Sequence, residues 1–263
     1  MYCIKNEMKN SLTNILLSIL FLLLVISCSE ENKNDVSLQE RNQINLPLEE
    51  LAKRHVEAHL NISSNEKYTL SIHKKHLDED NIVDAIILVN RLNFALDEAE
   101  KSNNNAKRAH LGFTGRYNFL FYYDGGLKKI SPEIPVPSSP HALLKLNFTS
   151  FSGKKYSDFT IDYTIRNSQF RNYYIIQNHT PVRVFQWKIY DYLLEDNEEV
   201  NFLTFDNGSY SKVKDILIYE GKISNHNEIK DIYHFDPKIE KITKEPKHRF
   251  FFLDDQFKYF TNK

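Results

Sequence analysis

The sequence predicts an α+β domain, with one helix at its start followed by mostly antiparallel β-sheet in a sandwich-like arrangement. Leu48, Leu51, Val56 and Leu60 form a helical stripe near the start of the polar part of the chain. Alternation of apolar and polar residues with a period of two recurs in many later segments. No internal repeat with a clear period is present, which excludes solenoids and propellers built from repeated blades.

The first helix is predicted over residues 47–60. Pro47 suits the first turn of a helix, where its missing N–H costs nothing. Glu49 and Glu50 follow it, and negative charge is favourable at the amino end of a helix. A second, short helix is predicted over 92–101.

The predicted strands share either alternation of apolar and polar residues or a short, fully apolar run. They lie at 68–72, 85–89, 117–123, 144–148, 158–166, 173–176, 182–189, 216–219 and within 249–260. The turn Asp124-Gly125-Gly126 ends one of them, and residues 178–181 join two others in a hairpin. The alternation skips at Val184-Phe185, which predicts a β-bulge there.

The clearest alternation is in 158–166, where Phe159, Ile161, Tyr163 and Ile165 point to one side and polar residues to the other. This pattern predicts a strand with one buried and one solvent-facing side. Residues 131–140 carry four prolines and favour an extended connection. They mark either a boundary within the domain or a strap across it whose Ile134 and Val136 dock on the core.

The amino-terminal stretch Ile15 to Cys28 is the longest apolar run of the chain. Lys5 and Lys9 precede it, and a polar string beginning at Ser29 follows it. A basic start, a short apolar centre and a small residue at the break are typical of a secretory signal. The apolar part is too short for a transmembrane helix, which needs roughly 20 residues. The predicted organisation is a signal peptide over 1–27, a flexible polar tether over 28–45 and one domain over 46–263.

The four residues Val25-Ile26-Ser27-Cys28 resemble the lipobox of bacterial lipoproteins. In that family a signal peptidase cuts before the cysteine, and the cysteine then carries acyl chains. The resemblance implies lipidation of Cys28 and attachment to the lipid bilayer. Each buried CH₂ contributes about 0.8 kcal/mol, so two or more chains anchor a protein stably.

Ser29-Glu30-Glu31 follow that cysteine and resemble the acidic export signal of surface lipoproteins of the Bacteroidota. The alternative is a solvated acidic linker. Together the two resemblances imply a protein anchored in the outer membrane, at its periplasmic face or at the cell surface.

Composition excludes several functional classes. Lys and Arg total 34 and Asp and Glu total 35, so the chain has no basic excess that would attract nucleic acid. The only cysteines are Cys3, inside the predicted signal, and Cys28. The predicted domain therefore contains no disulfide, no thiol nucleophile and no thiolate metal site.

The best candidate for site chemistry is the segment 76–84, in which Asp78, Asp80 and Asp84 are spaced two and four residues apart before an apolar strand. Ca²⁺ takes six to eight oxygen ligands, and short loops supply them from alternate residues. The segment resembles the calcium loops of FG-GAP and integrin-like repeats, and more loosely an EF-hand loop. It departs from them at His76, where the first acid is expected, and at Asn81, which replaces the loop glycine. The alternative is a solvated acidic turn.

Two histidines, His55 and His59, share one face of the first helix and could bind one zinc ion. Glu57, however, stands two residues after His55, whereas zinc proteases of this type place the glutamate directly after the first histidine. An amphipathic helix with two surface histidines is therefore favoured. Trp187 could stack on a sugar, but a core position is favoured. No catalytic motif, nucleotide-binding loop or paired catalytic carboxylates are recognisable.

The sequence thus favours a non-enzymatic lipoprotein of the bacterial envelope that binds a protein or glycan partner or has a structural role. The alternative is a hydrolase whose catalytic residues are scattered along the chain. Calcium bound at Asp78, Asp80 and Asp84 is the one candidate cofactor.

Overall fold

The computed structural model describes residues 46–111 and 115–261, so the predicted signal peptide, Cys28 and nearly all of the tether lie outside the described residues. From Leu48 onward the described chain forms one compact unit. It contains three short α-helices and fourteen strands, all paired antiparallel. The predicted α+β class, with a leading helix and mostly antiparallel sheet, is confirmed.

The helices are α1, Leu48–His59, then α2, Leu92–Lys101, and α3, Asn105–Ala109. A single 3₁₀ turn spans His226–Glu228. The predicted bounds of the first two helices agree with the structure to within one residue. Ala52 and Val56 are the buried residues of α1 and face the sheet beneath it.

The N-terminal sheet has the order β1-β2-β3-β4, with β5 also paired to β3. Its strands are Thr69–Lys75 (β1), Asp84–Asn90 (β2), Asn118–Asp124 (β3), Lys129–Ile130 (β4) and Ile134–Pro135 (β5). The central strand β2 is buried along its whole length, as expected of a run without polar alternation.

The C-terminal sheet has the order β14-β13-β11-β10-β9-β8-β7-β6, with β12 also paired to β11. Its strands are Lys145–Thr149 (β6), Asp158–Ile165 (β7), Ser168–Gln177 (β8), Thr180–Asp191 (β9), Glu199–Asp206 (β10), Asp215–Ile223 (β11), Ile239–Lys241 (β12), His248–Leu253 (β13) and Lys258–Phe260 (β14). The far end curls round, so that β14 lies against β9.

Two cores lie on opposite faces of the N-terminal sheet. On one face α1 packs over Ile87, Val89, Phe119 and Phe121. On the other face the alternate residues of β2 and β3 pack against the C-terminal sheet, including Ile161. The N-terminal sheet is therefore the middle layer between the helix and the larger sheet.

Strand β8 is buried on both sides. Tyr174 and Ile176 contact the core shared with the N-terminal sheet, whereas Tyr173 and Ile175 contact a separate core closed by β11, β13 and β14. Opposite Tyr173 and Tyr174 the register shifts so that Val184 is the extra residue of β9, which confirms the predicted bulge.

The prediction that one side of β7 faces solvent is wrong, because β7 is buried on both sides. Asp158 accepts hydrogen bonds from the backbone N–H groups of Phe151 and Ser152 at 2.8 and 2.7 Å. Asp162 accepts two hydrogen bonds from the Arg171 guanidinium, at 2.6 and 2.7 Å. The polar side of the strand is thus covered by hydrogen-bonding partners, although Asp158 Oδ1 accepts no hydrogen bond.

The proline-rich segment 131–140 crosses the domain as a strap. Val136 is buried, and its backbone N–H donates to the Asn118 carbonyl oxygen at 2.9 Å. Ile134 pairs with β3 and, like Val136, packs on the core that the two sheets share. Prolines are tolerated here because the strap joins the sheet through a two-residue edge strand.

Candidate functional site

The acidic segment between β1 and β2 folds back on itself through its own side chains. The Asp80 backbone N–H donates to Asp78 Oδ1 at 3.1 Å, and the Ile82 N–H donates to Asp80 Oδ1 at 2.7 Å. The His76 ring donates from Nδ1 to the Ile82 carbonyl oxygen at 3.1 Å and closes the loop. Successive aspartate turns of this kind bring carboxylates close together in a short segment.

Asp84 is fully buried where the loop enters β2. Its two oxygens accept hydrogen bonds from different segments, Oδ2 from the Leu77 N–H at 2.9 Å and Oδ1 from the Gly125 N–H at 3.0 Å. Burial raises the pKa of Asp84, whereas these two backbone donors lower it and the charges of Asp78 and Asp80 raise it. Asp84 therefore joins the loop to the turn that follows β3.

That turn approaches the loop closely, and at Gly125, which faces backbone, only glycine fits. A Cβ atom on Gly126 would lie 2.0 Å from Asp80 Oδ2, and one on Gly125 would lie 2.3 Å from the Val83 carbonyl oxygen. The Asp124-Gly125-Gly126 turn predicted from sequence is thus also a packing surface for the acidic loop.

Two further residues join the loop from distant parts of the chain. Asp124, buried at the end of β3, accepts a hydrogen bond at Oδ2 from His179 Nδ1 at 2.6 Å and another at Oδ1 from the Leu127 N–H at 2.7 Å. The Asp78 carboxylate lies 3.9 Å from the same His179 nitrogen. We refer to Asp78, Asp80, Asp84, Asp124 and His179 as the acidic corner.

His179 is held by the hairpin between β8 and β9. Asn178 and His179 form its two-residue turn, and both have positive φ, at 48° and 61°. This is the backbone of a type I′ turn, which matches the twist of the paired strands. The predicted hairpin is confirmed, with the turn at 178–179 and Thr180 and Pro181 already in β9.

A tyrosine completes the buried side of the acidic corner. The Tyr122 hydroxyl donates to Asp78 Oδ2 at 3.1 Å. Burial, and then the negative charges of Asp84, Asp78 and Asp124, raise the pKa of Tyr122 far above its usual range. The phenol therefore stays protonated and acts as a fixed hydrogen-bond donor.

The acidic corner offers two overlapping sets of metal ligands. One ligand atom from each of Asp78, Asp80 and Asp84 lies within 4.8 Å of the others, and the same holds for Asp78, Asp124 and His179. The all-carboxylate set suits a hard cation such as Ca²⁺, whereas the set with imidazole suits a transition metal. In the second set a cation would replace the proton that His179 Nδ1 donates to Asp124.

An open cleft of about 410 Å³ lies beside the acidic corner. The residues that line it include Asp78, Asp80, Lys154, Tyr156 and His179. The sequence pattern predicted three of the five residues of the acidic corner. It placed Asp124 and His179 in turns without linking them to the loop, because their contact depends on how the two sheets pack.

The two histidines of α1 have another role. Their rings stack with centroids 4.0 Å apart. His55 donates from Nε2 to the Ser131 carbonyl oxygen at 3.0 Å, and His59 Nδ1 lies 3.3 Å from a carboxylate oxygen of Glu133. Neither belongs to a group of metal ligands within the described parts of the chain. They fasten α1 to the proline-rich strap.

Trp187 packs against the core closed by β13 and β14. Its ring stacks on Phe185 at 6.0 Å and contacts Phe250 at 5.1 Å and His248 at 5.5 Å. Across residues 46–111 and 115–261, no helix is long and apolar enough to cross a membrane.

Comparison with known proteins gives no relationship from which a function could be transferred. No family model, no curated protein and no solved structure matches this chain.

Proposed function

We propose that this chain is a lipid-anchored protein of the bacterial envelope, attached to the outer membrane through acylated Cys28. Its β domain binds a protein or glycan partner or has a structural role. The observation that carries the proposal is Val25-Ile26-Ser27-Cys28 at the end of an apolar run that begins at Ile15. The polar segment after Cys28 then tethers the domain, and Ser29-Glu30-Glu31 favour the cell surface.

The bonding of the acidic corner supports a non-catalytic role. Asp84 uses both oxygens to bind backbone N–H groups, and Asp124 binds one backbone N–H and one imidazole. Asp78 binds the Asp80 N–H and the Tyr122 hydroxyl. Carboxylates bound in this way hold the loop and the turns of the fold in place, a role that needs no catalysis.

Hydrolysis is the second candidate, and the Asp124–His179 pair favours it. A buried aspartate that orients a partly exposed histidine is the arrangement of a general base. No Ser, Thr or Cys side chain lines the adjoining cleft within the described residues, so water would be the nucleophile. Faster hydrolysis of p-nitrophenyl acetate by the wild type than by the variant His179→Ala would favour this candidate. Equal rates would count against it.

The lipid anchor is tested by metabolic labelling with palmitate. The wild type is expected to incorporate the label and to sediment with membranes, whereas the variant Cys28→Ser loses both properties. Mass spectrometry should find Cys28 at the amino terminus of the mature protein. An unlabelled wild type, or a mature chain in which residues 27 and 28 remain joined, would refute the anchor.

The binding role and the membrane face are tested on the same pair of proteins. Wild-type protein in envelope extract is expected to retain a partner in a pull-down, and the variant Cys28→Ser shows whether retention needs the anchor. Protease added to intact cells is expected to cleave a surface-exposed domain and to spare a periplasmic one.

A further inference from the structure

A second cleft lies on the C-terminal sheet, away from the acidic corner. Its volume is about 270 Å³. Residues of strands β6 to β10 and of β12 line it, together with the segment around Asp236. We refer to this cleft as the sheet groove. It is close to the lower size limit of small-molecule sites, about 300 Å³.

The charged side chains of the sheet groove neutralise each other. Lys145, Asp162 and Arg171 are cross-strand neighbours on β6, β7 and β8. Arg171 binds Asp162 through two hydrogen bonds, and Lys145 donates to Asp236 Oδ1 at 2.7 Å and to the Phe235 carbonyl oxygen at 3.1 Å. The two positive and two negative side chains of the groove cancel in charge, so the groove favours a neutral ligand over an ionic one.

Amide side chains add neutral hydrogen-bonding groups to the groove. Gln169 is only 4% exposed, yet its side-chain amide has no hydrogen-bond partner within the described chain. Asn201 donates to the Lys188 carbonyl oxygen at 3.3 Å, which leaves its own side-chain oxygen available. Asn147 lies at the exposed rim. The Gln169 amide is not among the fully buried side-chain groups that lack a partner, so its polar atoms reach the groove and can bind a ligand there.

Apolar side chains complete the lining. Ile189, Leu203 and Ile239 lie beside the amides. The groove thus combines neutral donors and acceptors with apolar contact surface. A saccharide ring presents hydroxyl groups at its edge and C–H groups on its faces, and it carries no charge.

We propose that the sheet groove binds a neutral, hydroxyl-rich ligand of the size of a mono- or disaccharide, with the Gln169 amide as a central contact. The inference rests on the proposed binding function and specifies its ligand as glycan. It assigns the binding to the C-terminal sheet and leaves the acidic corner a separate site.

The test is saturation-transfer NMR on the full chain purified in detergent. The probes are glucose, galactose, mannose, N-acetylglucosamine and their β-linked disaccharides, with glucuronate as a charged comparison. At least one neutral sugar is expected to receive saturation, and glucuronate is expected to receive none. Absence of transfer to every neutral sugar, or preference for glucuronate, would overturn the proposal.

The variant Gln169→Leu tests whether the sugar binds in the sheet groove. Affinity for the bound sugar is expected to fall about three- to tenfold, the effect of losing one neutral hydrogen bond. Leu has a similar size and needs no partner, so the thermal midpoint should not fall. Gln177→Leu, at the exposed end of the same strand, is the matched control and should bind like the wild type. Unchanged affinity in both Gln169→Leu and Asn147→Ala would show that the sugar binds elsewhere.

Failure of this proposal differs from failure of the envelope role. If Gln169→Leu still retains a protein partner from envelope extract while no sugar binds, the binding function stands and only the ligand class is wrong. Palmitate labelling is independent of the groove.

Discussion

Individual buried carboxylates organise the backbone of this domain. Asp84 joins the β1–β2 loop to the turn after β3, and Asp158 binds the N–H groups of Phe151 and Ser152. Burial raises the pKa of both carboxyl groups, although the backbone donors oppose the shift. Each therefore supplies useful hydrogen bonds while its charge costs free energy in the folded state.

The variant Asp158→Asn should separate these two effects. The Asn carbonyl can accept from Phe151 and Ser152, and its NH₂ group replaces Oδ1, which accepts no hydrogen bond. In the wild type the folded pKa exceeds the unfolded value of about 3.9, so the folded state binds the extra proton and stability falls as pH rises through this window. The variant Asp158→Asn has no carboxyl group at this position, so its stability does not fall with pH for this reason.

Urea unfolding at pH values from about 4 to about 8 measures the free energy of unfolding of the variant and of the wild type. The stability of Asp158→Asn relative to the wild type should increase with pH and level off above the folded pKa. The control Asp254→Asn changes an exposed turn residue and should follow the wild type. A constant difference between Asp158→Asn and the wild type across the range would contradict the argument.

At the scale of elements, the β8–β9 hairpin places a non-glycine residue at positive φ inside the acidic corner. His179 has φ 61° and is hydrogen-bonded to the buried Asp124. His179→Ala and His179→Gly both remove the hydrogen bond, which should cost about 1–3 kcal/mol by leaving a buried acceptor short of a partner. Alanine should cost a further 1 kcal/mol or so, because only glycine adopts this backbone without strain.

Chemical denaturation of the two variants tests this expectation. The difference between them isolates the backbone strain, since the lost contact is common to both. Equal stabilities of His179→Ala and His179→Gly would mean that the turn relaxes out of the left-handed region when His179 is replaced.

The β1–β2 loop is predicted to bind calcium. In millimolar calcium the free energy of unfolding should be about 1 kcal/mol higher than in chelator, because extracellular calcium modules have dissociation constants of about 10⁻⁴ to 10⁻³ M. For a domain of this size this corresponds to a shift of about 2–4 °C. Asp80→Ala should abolish the shift, whereas Asp196→Ala, an exposed acid in another loop, should keep it.

Thermal melts of two variants, with and without calcium, show which of the two ligand sets binds the cation. Loss of the shift in His179→Gly would indicate that Asp78 binds the cation together with Asp124 and His179. Retention in His179→Gly with loss in Asp80→Ala would indicate the all-carboxylate set. An equal shift in wild type and Asp80→Ala, or none in wild type, would rule out the loop as a calcium site.

Local sequence patterns predicted most elements because each depends on its own residues. The helix α1, the hairpin through residues 178–181 and the bulge at Val184 follow from periodicity and turn chemistry, although the turn itself takes only residues 178 and 179. The exposure of β7 did not follow, because alternation identifies the two sides of a strand but not what covers them. The contact between Asp124 and His179 was missed for a related reason, since it joins residues 55 positions apart through the packing of two sheets.

At the scale of the whole molecule, the two sheets depend on one shared core. Ile86, Leu88 and Leu120 of the N-terminal sheet pack against Phe159 and Ile161 of the C-terminal sheet. The other side of the N-terminal sheet is covered by α1. Neither sheet can therefore lose its structure without exposing the apolar side of the other.

We predict that the domain unfolds in a single transition and that a substitution in the shared core shifts every probe equally. Trp187, the only tryptophan of the chain, reports on the C-terminal sheet by fluorescence, and circular dichroism of the helices reports on α1 and α2 beside the N-terminal sheet. Ile161→Ala should cost about 2–5 kcal/mol and move both curves together, because Ile161 is fully buried between the sheets. The exposed control Ile242→Ala should change stability by at most about 0.5 kcal/mol. If Ile161→Ala shifted the fluorescence curve alone, the two sheets would be separate folding units, and the acidic corner, which spans both, could open without unfolding the rest.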